Sequence, residues 1–215
     1  ISNHRPNSEV EFRHTAKTEK KTIHFDEQGV CDACRTTQRK HDEIDWQSRE
    51  EALVELCNRH RKDGTVYDCL VPGSGGKDSF YAAHMLKYKY GMTPLTVTWA
   101  PHMYTDWGWK NFQAWIEAGF DNYLMTPNKR THRLLTRLAL ENLFHPFQPF
   151  MLGQKALAPK MAALFSISLV FYGENEAEYG NPIKDTESAR RDWSYFSGDD
   201  PSVIYLGGVS VQELT

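Results

Sequence analysis

The sequence predicts an α/β protein in which helices cover both faces of a parallel sheet. Three observations support this. Short apolar, β-branched segments alternate with amphipathic helical segments along most of the chain. A glycine-rich turn stands between the first predicted strand and the next helix. The 215 residues are 40% hydrophobic and 25% charged, which is enough apolar material for a packed core. Strands that alternate with helices are typical of parallel βαβ units.

The first regular helix is predicted to begin near residue 48. Ser48 and Glu51 have the spacing of a capping box, an apolar stripe follows, and Gly64 is placed to end the helix. A buried strand is predicted over residues 66–71, and a second helix over 79–90, which stops at Gly91. The glycine-rich turn therefore lies between a strand and a helix.

The alternation of helix and strand continues as far as residue 172. Apolar β-branched runs predict the further strands, and spacings of three and four residues predict the further helices. The predicted strands are 95–99, 123–125 and 167–172, and the predicted helices include 112–116, 134–143 and 156–165.

Residues 1–47 differ from the remainder, because they are polar and lack periodicity. We predict an N-terminal segment over 1–47 and an α/β domain over 48–215. Cys31 and Cys34 form a single CxxC pair in this segment. Zinc takes four ligands, so one pair supplies half of a site. A zinc-knuckle-like segment, a redox pair and two unliganded thiols all remain open.

Composition excludes several classes of protein. The net charge is −3 and the cations do not cluster, which argues against a nucleic-acid-binding surface. The chain has no apolar run of the roughly 18–20 residues that a membrane span needs, and no signal-peptide core is evident at its start. Four cysteines are too few for a disulfide scaffold, which favours the reducing cytoplasm.

The turn at 74–79, with the sequence SGGKDS, carries the functional argument. Glycines let the backbone come close to a ligand, and the amides at a helix start point toward an anion. Ser74 and Ser79 can add hydroxyl donors, and Lys77 adds a positive charge. The pattern lacks the spacing of a Walker A loop, because Asp78 stands where that motif needs Ser or Thr. The alternative is an ordinary capped glycine turn without a ligand.

This turn resembles the SGGxDS loop of the PP-loop ATP pyrophosphatase superfamily. The resemblance implies a doubly wound parallel sheet of the adenine nucleotide alpha hydrolase type, with ATP at the carboxyl ends of the strands. It also implies a shared reaction. ATP is cleaved between its α and β phosphates, a substrate oxygen is adenylylated, and a nucleophile then expels AMP.

Further stretches resemble one family within this superfamily, the N-acetyl sugar amidotransferases. They are GVCDAC at 29–34, VTWAPH at 97–102, HPFQPF at 145–150 and YGENEAEYG at 172–180. The resemblance implies ATP-dependent conversion of a sugar acetamido group into an acetamidino group for bacterial surface glycans. These include the lipopolysaccharide O-antigen and pseudaminic or legionaminic acid. Family members extend further at both ends and carry another CxxC upstream, so we expect this chain to be a fragment.

The resemblance and the loop together give a set of expected site residues. The expected ATP-binding residues are Ser74, Gly75, Gly76, Lys77, Asp78, Ser79, Thr98 and Trp99. The expected catalytic residues are Lys77, Asp78, Glu174 and Asn175. The expected substrate-binding residues are Glu174, Asn175, Glu178 and Tyr179, and the expected zinc ligands are Cys31 and Cys34. Mg²⁺ is expected with the ATP phosphates.

No cysteine is placed as a glutaminase nucleophile, because Cys57 lies on an apolar helix face and Cys69 in a buried strand. The resemblance to the N-acetyl sugar amidotransferases implies two partner subunits, a glutaminase and a barrel protein that channels ammonia. A nucleotide-linked N-acetyl sugar is the implied substrate. The alternatives are a PP-loop tRNA-modifying enzyme, of the thiolation or lysidine type, and a non-catalytic nucleotide-binding scaffold.

Overall fold

The computed structural model describes residues 12–18, 25–62, 66–174, 196 and 200–215. The chain divides into two compact units. One comprises Ile1–Arg49, Leu135–Gln148 and Asn175–Thr215, and the other comprises Glu50–Leu134 and Pro149–Glu174. We call the second the sheet unit and the first the cysteine unit.

The sheet unit is built on three parallel strands, which confirms the predicted α/β class. The strands are β1 (Cys69–Pro72), β2 (Pro94–Trp99) and β3 (Asp121–Met125), in the order β1-β2-β3. The register aligns Leu70 with Leu95 and Leu95 with Asp121. β1 and β2 are almost fully buried, as expected of strands covered on both faces.

The strand predicted over 167–172 is much shorter than expected. Only residues 169–171 pair with β1: the Leu70 amide donates to the Leu169 carbonyl at 2.9 Å, and the Phe171 amide donates to the Leu70 carbonyl at 2.9 Å. This pairing is parallel and lies on the side of β1 opposite β2. Ile167 is not available to it, because its amide completes the preceding helix by donating to the Ala162 carbonyl at 2.8 Å. β1 is thus flanked by two later segments of the chain.

Helices occupy both faces of the sheet, and their bounds differ in places from the predicted ones. The helical segments include α1 (Asp32–Asp42), α2 (Trp46–His60), α3 (Lys77–His84), a π-helical turn (Met85–Lys89), α4 (Asp106–Glu117), α5 (Lys129–Leu143), α6 (Gln148–Leu164), a 3₁₀ turn (Pro201–Val203) and α7 (Val211–Leu214).

The alternating side chains of the strands create two cores. Cys69 and Val71 face a cluster with Cys57 of α2, Phe112 of α4 and Trp115 of α4. On the other face, Leu70, Leu95 and Val97 pack with Leu157, Ala158 and Ala162 of α6. The sheet is therefore sandwiched between helices, an arrangement compatible with a Rossmann-like fold.

Two predicted helix starts were wrong for identifiable reasons. The cap of α2 is Asp45, whose Oδ1 accepts from the amides of Gln47 at 3.0 Å and Ser48 at 3.1 Å, and no Ser48–Glu51 capping box starts the helix. α6 begins at Gln148 and not near residue 156, and Pro149 lies in its first turn. Proline is tolerated there because the first helical amides have no intrahelical acceptor.

The cysteine unit contains α1 and an antiparallel hairpin, neither of which was predicted. The hairpin joins β4 (Tyr205–Leu206) to β5 (Val209–Ser210) through Gly207 and Gly208, with φ values of 63° and 77°. Such a two-residue turn requires left-handed backbone at both positions. Buried Gln148 holds it by donating to the Tyr205 carbonyl at 3.1 Å and accepting from the Gly207 amide at 2.9 Å.

No helix in the described part of the chain is both long enough and apolar enough to cross a bilayer.

Candidate functional site

The loop expected to bind phosphate, residues 73–79, lies at the carboxyl end of β1, and we call it the phosphate loop. β1 ends at Pro72, and α3 begins at Lys77 with Gly76 as its N-cap. The N-cap Gly76 has no side chain, and no side chain of the described residues accepts from the first amides of α3, so the amides of Lys77 and Asp78 can donate to an external acceptor. β2 and segment 169–171 lie on opposite sides of β1, so the order of strands reverses there. In open α/β sheets ligands typically bind at the carboxyl ends of the strands at such a point.

The two glycines in the middle of the loop have different roles. A Cβ at Gly75 would lie 2.2 Å from the carbonyl oxygen of Asn111 on α4, and Gly75 has φ +85°. Gly75 is therefore required by the packing of the loop against α4. A Cβ at Gly76 would meet nothing within 4 Å. Gly76 is thus the glycine whose backbone a ligand can approach.

A third glycine, Gly173, brings another segment against the loop. A Cβ on Gly173 would lie 2.5 Å from the Ser79 amide nitrogen and 2.6 Å from the Asp78 carbonyl carbon. The turn after segment 169–171 therefore packs directly on the first turn of α3. Glu174 follows this contact and is exposed.

The charged side chains of the loop lie at its surface. Lys77 Nζ is 2.7 Å from Asp78 Oδ1, and the Lys77 side chain is 89% exposed. An ion pair this exposed contributes little to stability. Because its side chain lies largely in solvent, Lys77 is accessible to an anion. Ser79 Oγ donates to the Gly76 carbonyl at 3.2 Å, and Ser74 is exposed.

Thr98 and Trp99, expected near adenine, end β2 beside the loop. Thr98 is fully buried and its Oγ1 donates to the Gly73 carbonyl at 2.7 Å. Its hydroxyl is therefore engaged by the loop itself. Trp99 packs its ring on α6, where a Cβ at Gly153 would lie 2.2 Å from Trp99 Cζ2. Within the described residues, Trp99 Nε1 is buried and has no hydrogen-bond partner.

The aromatic residues that follow β2 make three separate contacts. His102 stacks on His132 with ring centroids 4.3 Å apart, and burial, followed by the nearby His102, lowers the pKa of His132. Tyr104 packs on Trp109 at 5.3 Å, which places it in the core against α4. Trp107 is 73% exposed, with Lys110 Nζ 4.7 Å above its ring.

Asn175, Glu178 and Tyr179 lie outside the described residues. Their expected roles remain predictions, and Glu174 is the last of the expected substrate-binding residues whose position the structure gives.

Cys31 and Cys34 lie at the start of α1. Cys31 is the N-cap and is buried, whereas Cys34 is exposed. The Cys34 amide, with smaller help from Ala33, lowers the pKa of the Cys31 thiol, while hydrogen bonding to Cys31 raises the pKa of Cys34. Among the residues described, no group of three potential ligands gathers anywhere. The described residues supply two of the four ligands that zinc takes, so the zinc site stays a prediction and no step below depends on it.

Sequence reasoning missed the residues that shape the loop from a distance. Asn111 and Gly173 meet it through main-chain contacts, and Asn122 reaches it through Thr98. Only Gly173, inside the stretch YGENEAEYG, carried any signal, and that signal indicated a family and not a contact.

Comparison with known proteins gives little further guidance. No family model matches the chain. An uncharacterized protein of Methanocaldococcus jannaschii is 34% identical over 84 residues, which are 39% of this chain and 29% of that protein. The chain thus matches less than a third of the length of this relative, and the likeness carries no statement of activity.

Proposed function

We propose that this chain is the ATP-using subunit of an AMP-forming amidotransferase that converts a sugar acetamido group into an acetamidino group. The observation that supports it most is the phosphate loop: exposed Gly76 and Lys77, with a helix start that no side chain of the described residues caps, at the carboxyl end of a central parallel strand. Backbone amides and one exposed cation suit the β and γ phosphates of ATP.

In this proposal the loop holds the pyrophosphate as a leaving group. The acetamido oxygen attacks the α phosphorus, the bond to the β-phosphate oxygen breaks, and pyrophosphate leaves. Ammonia then attacks the activated carbon, and AMP departs with the former amide oxygen. One acetamido group, one ATP and one ammonia thus give one acetamidino group, one AMP and one pyrophosphate.

The residues assigned to these steps lie around the loop. Lys77 balances charge on the leaving pyrophosphate, and the amides after Gly76 donate to its oxygens. Asp78 and Glu174 are the described carboxylates near the start of α3, and they suit Mg²⁺, which typically takes one or two carboxylates together with substrate phosphates. Bound Mg²⁺ would offset negative charge on those phosphates.

The wider assignment follows the resemblance of the sequence. The acceptor is a nucleotide-linked N-acetyl sugar for a bacterial surface glycan, and ammonia comes from a glutaminase subunit through a barrel subunit. The proposal places the reaction in the cytoplasm, where the four free thiols of the chain stay reduced.

The test uses the chain with ATP, Mg²⁺, an ammonium salt and nucleotide-linked N-acetyl sugars whose acetamido oxygen carries oxygen-18. We expect AMP and pyrophosphate, an amidine by mass spectrometry, and the label in AMP. ADP formation, or label retained in the sugar, contradicts the mechanism.

Lys77→Ala is the first variant to compare. It should lower pyrophosphate affinity by the roughly 1.5–3 kcal/mol of a charged hydrogen bond, because it removes the cation facing the leaving group. Lys89→Ala is the matched control, since Lys89 forms a similar surface pair with Glu50 at 2.5 Å, away from the loop. Equal turnover in the two variants removes Lys77 from the mechanism.

A further inference from the structure

Two buried threonines of β2 share one asparagine, but only one of them reaches the phosphate loop. Thr96 and Thr98 are both fully buried. Asn122 on β3 contacts both, with Nδ2 2.9 Å from Thr96 Oγ1 and 3.0 Å from Thr98 Oγ1. The two threonines lie along β2, and Asn122 joins them from the neighbouring strand β3.

Each of the two threonine hydroxyls both donates and accepts a hydrogen bond. Thr96 Oγ1 donates to the Asp121 carbonyl at 2.8 Å, and Thr98 Oγ1 donates to the Gly73 carbonyl at 2.7 Å. Each hydroxyl has one proton and has given it away, so each needs a donor on its other side. The two protons of the Asn122 amide nitrogen meet that need, which fixes the orientation of the amide.

Gly73 is consequently tied to β2 through both of its main-chain groups. Its amide donates to the Val97 carbonyl at 2.9 Å, and its carbonyl accepts from Thr98. Gly73 also stands close under Ser79, since a Cβ there would lie 2.6 Å from Ser79 Cβ. A rotation of the Gly73 peptide would therefore move the amides that follow it.

We propose that the Thr98 hydroxyl, oriented by Asn122, is a positioning group for phosphate binding. It fixes the Gly73 peptide and thereby presents the amides at the start of α3 in one arrangement before the ligand arrives. A loop ordered in advance loses less freedom on binding, so the ligand is bound more tightly. This inference rests on the proposed function for its ligand, but the ordering of the loop can be tested without one.

Thr98→Val is the principal variant, because valine keeps the shape and removes the hydroxyl. Thr96→Val is its matched control: the same strand, the same burial and the same asparagine, but a donor bond to Asp121 instead of the loop. Thr98→Ser restores the hydroxyl. Amide hydrogen exchange of residues 73–79 reports loop order, and calorimetric titration with inorganic pyrophosphate and Mg²⁺ reports affinity.

We expect Thr98→Val to speed exchange across 73–79 and to weaken pyrophosphate binding about tenfold, the size of one lost buried hydrogen bond. Thr98→Ser should restore both, and Thr96→Val should change neither, although both valine variants lower the melting temperature. If Thr98→Val matches Thr96→Val in exchange, or matches it in affinity while the wild-type chain binds pyrophosphate, the positioning role is overturned.

The two proposals fail separately. If the wild-type chain binds no pyrophosphate while Thr98→Val still loosens the loop and Thr96→Val does not, the proposed function fails and the ordering role stands. If Thr98→Val does not fold, Asn122→Ala replaces it. Faster exchange at 73–79 in Asn122→Ala than in Thr96→Val supports the inference, and equal exchange overturns it.

Discussion

Two regions of the chain lead from a glycine-containing turn into a helix: the phosphate loop and residues 26–34, which we call the cysteine turn. Different contacts hold these two regions in shape. The loop depends on partners far away in the sequence, among them Asn111 and Gly173. The cysteine turn depends on Asp26, whose carboxylate accepts from the amides of Gln28 and Val30 at 2.9 Å each. A local turn can form before the rest of its unit, whereas the loop has its shape only once the sheet is assembled.

The largest effect should come from Gly75→Ala. A methyl group would meet the main-chain oxygen of Asn111 at 2.2 Å, and the positive φ adds strain. We expect a loss of more than about 2 kcal/mol in the free energy of unfolding, measured by urea denaturation.

Gly76→Ala is the control for that variant, because nothing lies within 4 Å of its Cβ position. It should cost less than about 1 kcal/mol of stability, the scale of an N-cap change, yet weaken pyrophosphate binding. Equal stability of the two variants would show that α4 does not shape the loop.

Gly173→Ala should have the next largest effect. Its methyl group would meet main-chain atoms of Asp78 and Ser79 at 2.5–2.6 Å, so the turn carrying Glu174 must move away from α3. We expect a loss of about 1–3 kcal/mol of stability, as for other overpacked sites, together with weaker pyrophosphate binding by calorimetry.

Gly29→Ala tests the same kind of change in the cysteine turn. Gly29 has φ +75° but open space around its Cβ position, so we expect only the roughly 1–2 kcal/mol of left-handed strain. Pyrophosphate binding should not change. A loss of binding in Gly29→Ala would contradict the distinction between the two regions.

The smallest effect concerns pH. The Val30 amide, then Arg35 and the Gln28 amide, hold the pKa of Asp26 below its usual value. A lowered folded-state pKa means that the stabilisation is complete above the unfolded value of about 3.9 and is lost as pH falls through the folded value. We expect the Val30 amide to lose exchange protection on acidification in the wild type. In Asp26→Asn, its protection should not respond to pH in this range.

The strands and the loop could be predicted because the residues that define each of them are contiguous in the sequence. Cys69–Val71 is a short apolar run with no polar face, and parallel strands buried on both sides have that composition. The loop sequence at 74–79 likewise sits between a strand and a helix, as expected. The outline of the sheet unit therefore follows from local patterns.

Other features depend on competition between local signals or on register. Asp45 and Ser48 are both good N-caps, and nothing in the sequence ranks a carboxylate three residues earlier above a hydroxyl. Gly207-Gly208 is a hairpin signal, but the strands on either side are only two residues long. The Thr98–Gly73 bond exists because β1 and β2 pair in one register, which sequence periodicity does not specify.

The pairing of Leu70 with segment 169–171 joins parts of the chain that are about a hundred residues apart. Closing so long a span costs loop-closure entropy. Among the described residues, the main-chain hydrogen bonds that join this segment to the sheet are the two to Leu70, and Leu169 and Phe171 add packing against the core. We expect segment 169–171 to pair with β1 late in folding. It should also separate from β1 in local openings whose free energy is well below that of global unfolding. Gly173 follows this segment directly, so such an opening would move Glu174 away from α3. A bound ligand would then have a path to dissociate while the three-stranded sheet stays intact.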